Sequence, residues 1–342
     1  MKRSSLAAVF LCFVASACRP EVGPPISQVG GPTILAVKGT PAEVDPRSTK
    51  TSVVFEALAV DESGRVPGPS TDIADPLRWA ICDQPKPPTE NNSVSANCLD
   101  PDLVPGIVGP TPTTFNATIA SNACALFGPT TPPAAEGQAA IRPRDADVTG
   151  GYYQPVRVEL FVPEALRRAA MSTSESMISF ELQRIQCGLA NAQGPKIHEY
   201  TANYKLNTNP TLTQVTIQVA GATVANTPAT ATAGPAIAVS AGQSIDLAAY
   251  WSEDSVENYP AWDVLTRDLV YHNESMRVSW YATGGTFEHD ITGRGENDQE
   301  LFAPNTWKSD TASVGQVVHL WLVLHDSRGG TDFASLDFNV TP

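Results

Sequence analysis

Two stretches of this chain alternate in the same way. In TSVVFEALAVDESG the apolar residues Val53, Phe55, Ala57 and Ala59 fall at every second position. In QSIDLAAYWSEDS, Ile245, Leu247, Ala249 and Trp251 do the same. An extended chain points successive side chains to opposite sides, so period 2 marks a strand with one face on a core. Each stretch runs into an acidic turn, Asp61-Glu62-Ser63 or Glu253-Asp254-Ser255. Each is followed by a strand centred on a tryptophan, Trp79 or Trp280, with an apolar residue two positions before it, Leu77 or Val278. Both halves then close on a long strand, a turn and a final strand, MISFELQRIQC ending the first and LDFNV the second. The repeat predicts two all-β domains built on one plan.

Short runs rich in Val, Ile, Thr and aromatics, separated by Gly, Pro, Asn and Asp, favour a sandwich over alternating βα units. Helical signal is confined to PEALRRAAM, 163–171, where Pro163 suits a first turn. A strand, an acidic turn, a tryptophan strand and a closing hairpin together resemble the immunoglobulin-like sandwich. The second half is similar to the PKD and cadherin-like modules of bacterial surface proteins, through SWYATGGTF (279–287) and LHDSRGGTDF (324–333). The expected organisation is two immunoglobulin-like β-sandwiches in tandem, 33–208 and 209–342, the first with a large disulfide-stapled insertion over about 83–160.

Strand parity suggests what staples that insertion. With Leu77, Trp79 and Ile81 on the core, Cys82 faces outward; with Ile178, Phe180 and Leu182 on the core, Cys187 does too. Four cysteines allow three pairings, of which Cys82–Cys98 and Cys124–Cys187 are favoured, both on the outside of the sandwich.

The N-terminus reads as an export signal, with Lys2 and Arg3 ahead of the apolar run Leu6–Val14. Ala15-Ser16-Ala17 then precedes Cys18 and resembles the bacterial lipobox, which implies a signal peptide over 1–17 and an acyl chain such as palmitate on Cys18. A plain secreted protein with an incidental Cys18 is the alternative. Of six cysteines, Cys12 would leave with the signal; acylation of Cys18 leaves an even set suited to an oxidising compartment. Arg19 rather than Asp follows, so attachment to the outer membrane is expected, with the leaflet open. Residues 18–32, rich in Pro and Gly, read as an extended tether. The apolar region near 217–240 is broken by Pro228 and Pro235 and cannot span a bilayer.

The chain carries 36 acidic against 22 basic residues, a net charge of −14. That balance opposes nucleic-acid binding through phosphates. No G-x-S-x-G elbow or H-E-x-x-H motif appears, so no catalytic residue is assigned. His319 and His325 lie about 20 Å apart along one strand, too far for one metal. The remaining histidines, His198, His272 and His289, are scattered. Acidic loops hold Glu253, Asp254 and Glu257, then Asp263 and Asp268, then Asp290, Glu296 and Asp298. Oxygen ligands converging from loops are what Ca²⁺ takes, and Glu253, Asp254 and Asp326 are the candidate set; solvated acidic loops explain the same residues. Tyr250, Trp251, Tyr259, Trp262 and Tyr271 suit either a sugar platform or the end of the core, and GGYYQP (150–155) a contact loop or packing. The function expected is binding, adhesion or structure at the envelope, with a protein or glycan partner. An envelope hydrolase or its accessory subunit is the rival, requiring a cleft that gathers His325, Asp326 and a serine.

Overall fold

A computed structural model describes residues 25–67, 77–131, 136–137, 140–144, 147–165, 176–190 and 194–342. The expected signal peptide, Cys18 and most of the helix over 163–171 lie outside the described residues.

The first domain contains β1 (Thr33–Thr40), β2 (Glu43–Val44), β3 (Ser52–Asp61), β4 (Gly64–Val66), β5 (Arg78–Ile81), β6 (Ile107–Val108), β7 (Thr114–Thr118), β8 (Gly151–Phe161) and β9 (Ser176–Gln186). Strand β3 pairs with β1 along one edge and with β4 and β7 along the other. The facing sheet runs β2-β9-β8-β5-β6, antiparallel except for β2 beside β9. Two short helices, α1 (Ala123–Phe127) and α2 (Pro195–Asn203), complete this half.

The second domain contains β10 (Leu212–Val219), β11 (Ala222–Pro228), β12 (Ile237–Ser240), β13 (Ser244–Trp251), β14 (Asn258–Asp263), β15 (Asp268–Asn273), β16 (Met276–Ala282), β17 (Thr286–Phe287), β18 (Ile291–Arg294), β19 (Phe302–Lys308), β20 (Val317–Asp326) and β21 (Thr331–Thr341). Its sheets run β11-β10-β13-β19-β17 and β12-β21-β20-β16-β18, with β12 parallel to β21. In both domains the tryptophan strand joins the sheet of the final hairpin, and a short early strand lies parallel to the last. This is the immunoglobulin-like plan.

The repeated alternation supplies both cores. Val53, Phe55, Ala57 and Ala59 pack on Trp79 and on Val156, Val158 and Leu160 of β8. Ile245, Leu247, Ala249 and Trp251 pack on Trp280 and on Leu320, Leu322 and Leu324 of β20. Strand β3 is also buried on its other side. Leu58 and Val60 meet Trp321, Val323 and Phe333 of the second domain. The sandwiches are therefore stacked face to face in four sheet layers rather than strung end to end.

The expected tether is free over less of its length than its composition suggests. Val29 donates from its backbone to Ala282 at 2.9 Å, Ala282 donates back to Ser27 at 2.8 Å, and Val29 is buried between the domains. Prolines and glycines allow this, because an extended segment with unpaired backbone groups can dock on a neighbouring strand.

The expected insertion over 83–160 is two segments. Strand β7 interrupts it by pairing with β3, and β8 already begins at Gly151. The parity expected for β9 is reversed. Val156 and Leu160 face the core, and the residues directly opposite them are Glu181 and Met177, so odd-numbered residues of β9 face inward. Met177, Ile185 and Cys187 pack on the first core, whereas Ile178 and Leu182 are exposed and Phe180 packs under the insertion. The insertion supplies a second apolar surface outside the sandwich, and that is why an outward face can be greasy. The bridges join Cys82 to Cys98 and Cys124 to Cys187. Only the first lies on the sandwich exterior, with Ala80, Val94 and Val104; the second ends against the core beside α1.

Candidate functional site

On the outer face of the β8–β9 pair, the first domain forms a groove of about 400 Å³. Tyr153, Pro155 and Leu182 make its floor, because Pro155 and Leu182 are opposite each other in register and share a face. One wall is Gln84, Pro85 and Lys86, just after Cys82, with Val94 and Ser95, just before Cys98. The other wall is Phe127, just after Cys124, with Arg142, Pro143 and Arg144. The first wall is fixed to the scaffold by Cys82–Cys98. In the second, Cys124–Cys187 fixes the helix that carries Phe127, and Arg142 is tied to that segment through the carbonyls of Ala125 and Thr130. Both arrangements limit the ordering cost of binding. Arg157 fastens the first wall from below, donating to the carbonyls of Cys98 at 2.6 Å and Val104 at 2.7 Å.

The floor is braced along the same face of the sheet, where Arg184 stands opposite Tyr153. Arg184 donates to the Tyr153 hydroxyl at 3.0 Å and to Thr149 Oγ1 at 2.7 Å, and its Nε lies 3.2 Å from Glu43. Burial disfavours the Arg184 charge, but the Glu43 carboxylate and the Tyr204 and Tyr153 phenols together outweigh it and raise the guanidinium pKa. Burial also raises the Tyr153 phenol, against the opposing pull of Arg184. Gly151 makes this possible: a Cβ there would fall 2.0 Å from the Arg184 guanidinium.

Glu43 continues the network into the second domain. It accepts from the Tyr204 hydroxyl at 2.8 Å and from Asn207 N at 2.8 Å. The Asn207 amide donates to Asp326 at 3.1 Å, and Asp326 accepts Arg328 N and Gly330 N, each at 2.8 Å. Arg328 is itself buried, pairing with Glu274 at 2.7 Å and with Glu257. Burial again opposes the Arg328 charge, and Glu274 and Glu257 restore it. The interdomain chain is thus locked by charge-assisted bonds.

No protein-family model matches the chain, and no curated protein matches it. Among solved structures it is similar to the fibronectin(III)-like modules of Clostridium thermocellum CbhA, at 9% identity and a TM-score of 0.23, over 93% of this chain and 92% of that one. It is also similar to the Yersinia pseudotuberculosis adhesin InvE, at 10% identity and a TM-score of 0.20, over 91% of this chain and 61% of the adhesin. Likeness at these scores carries no argument. The fold assignment rests on this chain's own strand order and cores.

The candidate calcium set does not assemble. Glu253 and Asp254 are exposed on a single turn, whereas Asp326 points inward with its oxygens bonded to Asn207, Arg328 and Gly330. The other acidic residues are spread: Glu257 on Arg328, Asp268 on Lys196, Glu296 on His272. Among the described residues no group of three His, Cys, Asp or Glu side chains is placed to hold a metal.

The aromatic platform does not form either. Trp251 is in the core, Tyr250 lies on Phe302, Tyr259 lies under Arg328 and Trp262 is buried. Tyr271 alone of these is exposed. In GGYYQP, Tyr152 enters the first core and Tyr153 enters the groove. His325 and Asp326 are neighbours on one strand and point to opposite faces, so they form no relay. The hydroxyl beside His325 is that of Thr331, at 3.0 Å. Burial, then the nearby Arg277 charge, lowers His325 to about 4.

Proposed function

We propose that the protein is a lipid-anchored component of the bacterial outer membrane that binds a partner in the groove of its first domain and catalyses no reaction. The observation that carries the binding reading is the groove itself, floored by a sheet, with one wall held by Cys82–Cys98 and the other by Cys124–Cys187 together with the Arg142 hydrogen bonds. Rigidity of that kind suits recognition, because little side-chain and loop entropy is lost when a partner docks. The anchor reading rests on Cys18 after Ala-Ser-Ala and on the even number of cysteines that acylation leaves.

Two measurements on the full chain in its host test the halves of this reading. Feeding an alkyne fatty acid labels the wild-type protein and leaves a Cys18→Ser variant unlabelled and released from the outer-membrane fraction; an unlabelled wild type ends the anchor reading. A photo-reactive residue at position 153 captures a partner in living cells, while one at Pro304, exposed on the far side of the second domain, does not. Equal capture at both positions ends the groove reading.

A further inference from the structure

The groove inverts the charge of the molecule. The chain has 36 acidic and 22 basic residues, yet the residues lining the groove include Lys86, Arg142 and Arg144 and no carboxylate. Arg142 is buried and donates to the carbonyls of Ala125, Thr130 and Pro143, so it holds the wall together. Arg144 is exposed and spends one N–H on the Ala190 carbonyl, leaving the rest of its fork to the groove. Lys86 stands half-buried on the opposite wall. One available cation therefore rises from each wall.

The neutral polar side chains are mostly engaged already, the exposed hydroxyl of Ser93 excepted. The Tyr153 hydroxyl takes Arg184, the Gln84 amide takes Asp83 at 2.7 Å, and Ser95 Oγ caps the turn at Asn97 N. What remains between the cations is apolar and stiff: the Tyr153 and Phe127 rings, Leu182, and prolines 85, 143 and 155. Sugars need a fan of hydrogen-bonding partners, and this surface has few left. Extended peptides use rings and prolines as docking faces, and acidic motifs use Lys and Arg.

We propose that the groove takes an extended acidic peptide segment, its carboxylates on Lys86 and Arg144 and its apolar side chains on Tyr153, Phe127 and Leu182. This deepens, and rests on, the reading of the groove as the binding site. The net negative charge of the whole chain does not oppose it at close range. At physiological salt the screening length is about 8 Å, which damps the distant carboxylates. Asp83, bonded to Gln84 of the first wall, is a close one, and the two available cations outnumber it.

The test uses the full chain in detergent and a fluorescein-labelled peptide of alternating glutamate and proline, read by anisotropy. Saturable binding is expected, weakened about tenfold or more in a Lys86→Glu/Arg144→Glu double variant and again when glutamine replaces glutamate in the probe. Both variant positions are at the surface, and an unchanged melting temperature separates lost binding from lost folding. Equal binding of the glutamine probe overturns the acidic assignment; if Tyr153→Ala still abolishes that binding, the groove reading survives. Binding of polygalacturonate in place of the peptide overturns the peptide assignment in favour of an acidic glycan. No binding of either probe to the wild type overturns the proposal, and the cross-link at position 153 then reports independently whether the groove is used at all.

Discussion

The two sandwiches share a strand plan and differ in what covers it. Each has a hairpin sheet whose outer face is shielded: in the first domain by its own stapled insertion, in the second by the first domain. The other sheet of the first domain faces the second, through Leu58 and Val60. The second domain's β11-β10-β13-β19-β17 sheet is left open to solvent, with Asp246, Pro304 and Lys308 exposed on its outer side. That sheet accordingly reads as clean alternation, while β3 and β20 carry apolar residues on both faces. The shielding also divides the labour, since covalent staples hold the insertion, whereas the Asn207–Asp326 bond, the Arg328 bond to the Lys205 carbonyl and the Lys38–Asp332 ion pair cross the joint.

The largest test of that division removes the charge at the joint. Arg328→Met strands Glu274 and Glu257 without a counter-charge and should cost about 3–5 kcal/mol in urea unfolding. Arg157→Met under the insertion frees only two carbonyls and should cost about 1–3 kcal/mol. Equal losses would mean that Arg328 and its carboxylates do no more for the second domain's side of the joint than Arg157 does for the insertion.

Disulfides come next. Sequence separations of 63 and 16 residues predict losses of about 4 kcal/mol for the Cys124–Cys187 bridge and about 3 kcal/mol for Cys82–Cys98. The described disulfides both lie in the first domain, so reductant should lower only its calorimetric transition. A parallel fall in both transitions would show that the sandwiches unfold as one unit.

The effects that are smallest at each step, spread over several pH units, have opposite signs in the two domains. Burial holds Glu181, in the first, up to about 8. Its folded value lies above its unfolded one of about 4.3, so its stabilisation is lost as pH rises towards 8. His325, in the second, is held down to about 4, below its unfolded value, so stability is lost as pH falls from 6.5 to 4. At about 1.4 kcal/mol per pKa unit the full windows have upper bounds of about 5 kcal/mol for Glu181 and about 3.5 kcal/mol for His325. Melting temperatures between pH 4 and 9 should show Glu181→Gln flattening the alkaline arm and His325→Phe the acid arm. Retention of both arms in both variants would remove these residues as the cause.

Much of the fold was legible because cores obey local periodicity. Val53 to Ala59, Ile245 to Trp251, Trp79 and Trp280 announced their burial in their spacing. Strand β9 misled, since Ile178, Phe180 and Leu182 look like a core face and serve the insertion instead, while Glu181 looks like a surface residue and faces inward. The candidate site was legible in one residue pair, Tyr152 and Tyr153: the packing reading applies to Tyr152, and Tyr153 lines the groove. Lys86, Arg142 and Arg144 carried no signal, because their charge becomes unusual only when neighbouring carboxylates are seen to be elsewhere. Glu43, Arg184, Asn207 and Arg328 were equally silent, each an ordinary polar residue until burial makes its partner obligatory.

By itself the sequence determined the repeat, the sandwich strands that build two cores and the cysteines available to staple them, because period 2 and composition are local properties of a chain. Tertiary structure alone decided the stacking of the sandwiches, the hydrogen-bonded joint and the groove with its local reversal of charge. Those depend on which outward faces meet, and residues such as Leu58 and Trp321 come together only after each core has formed.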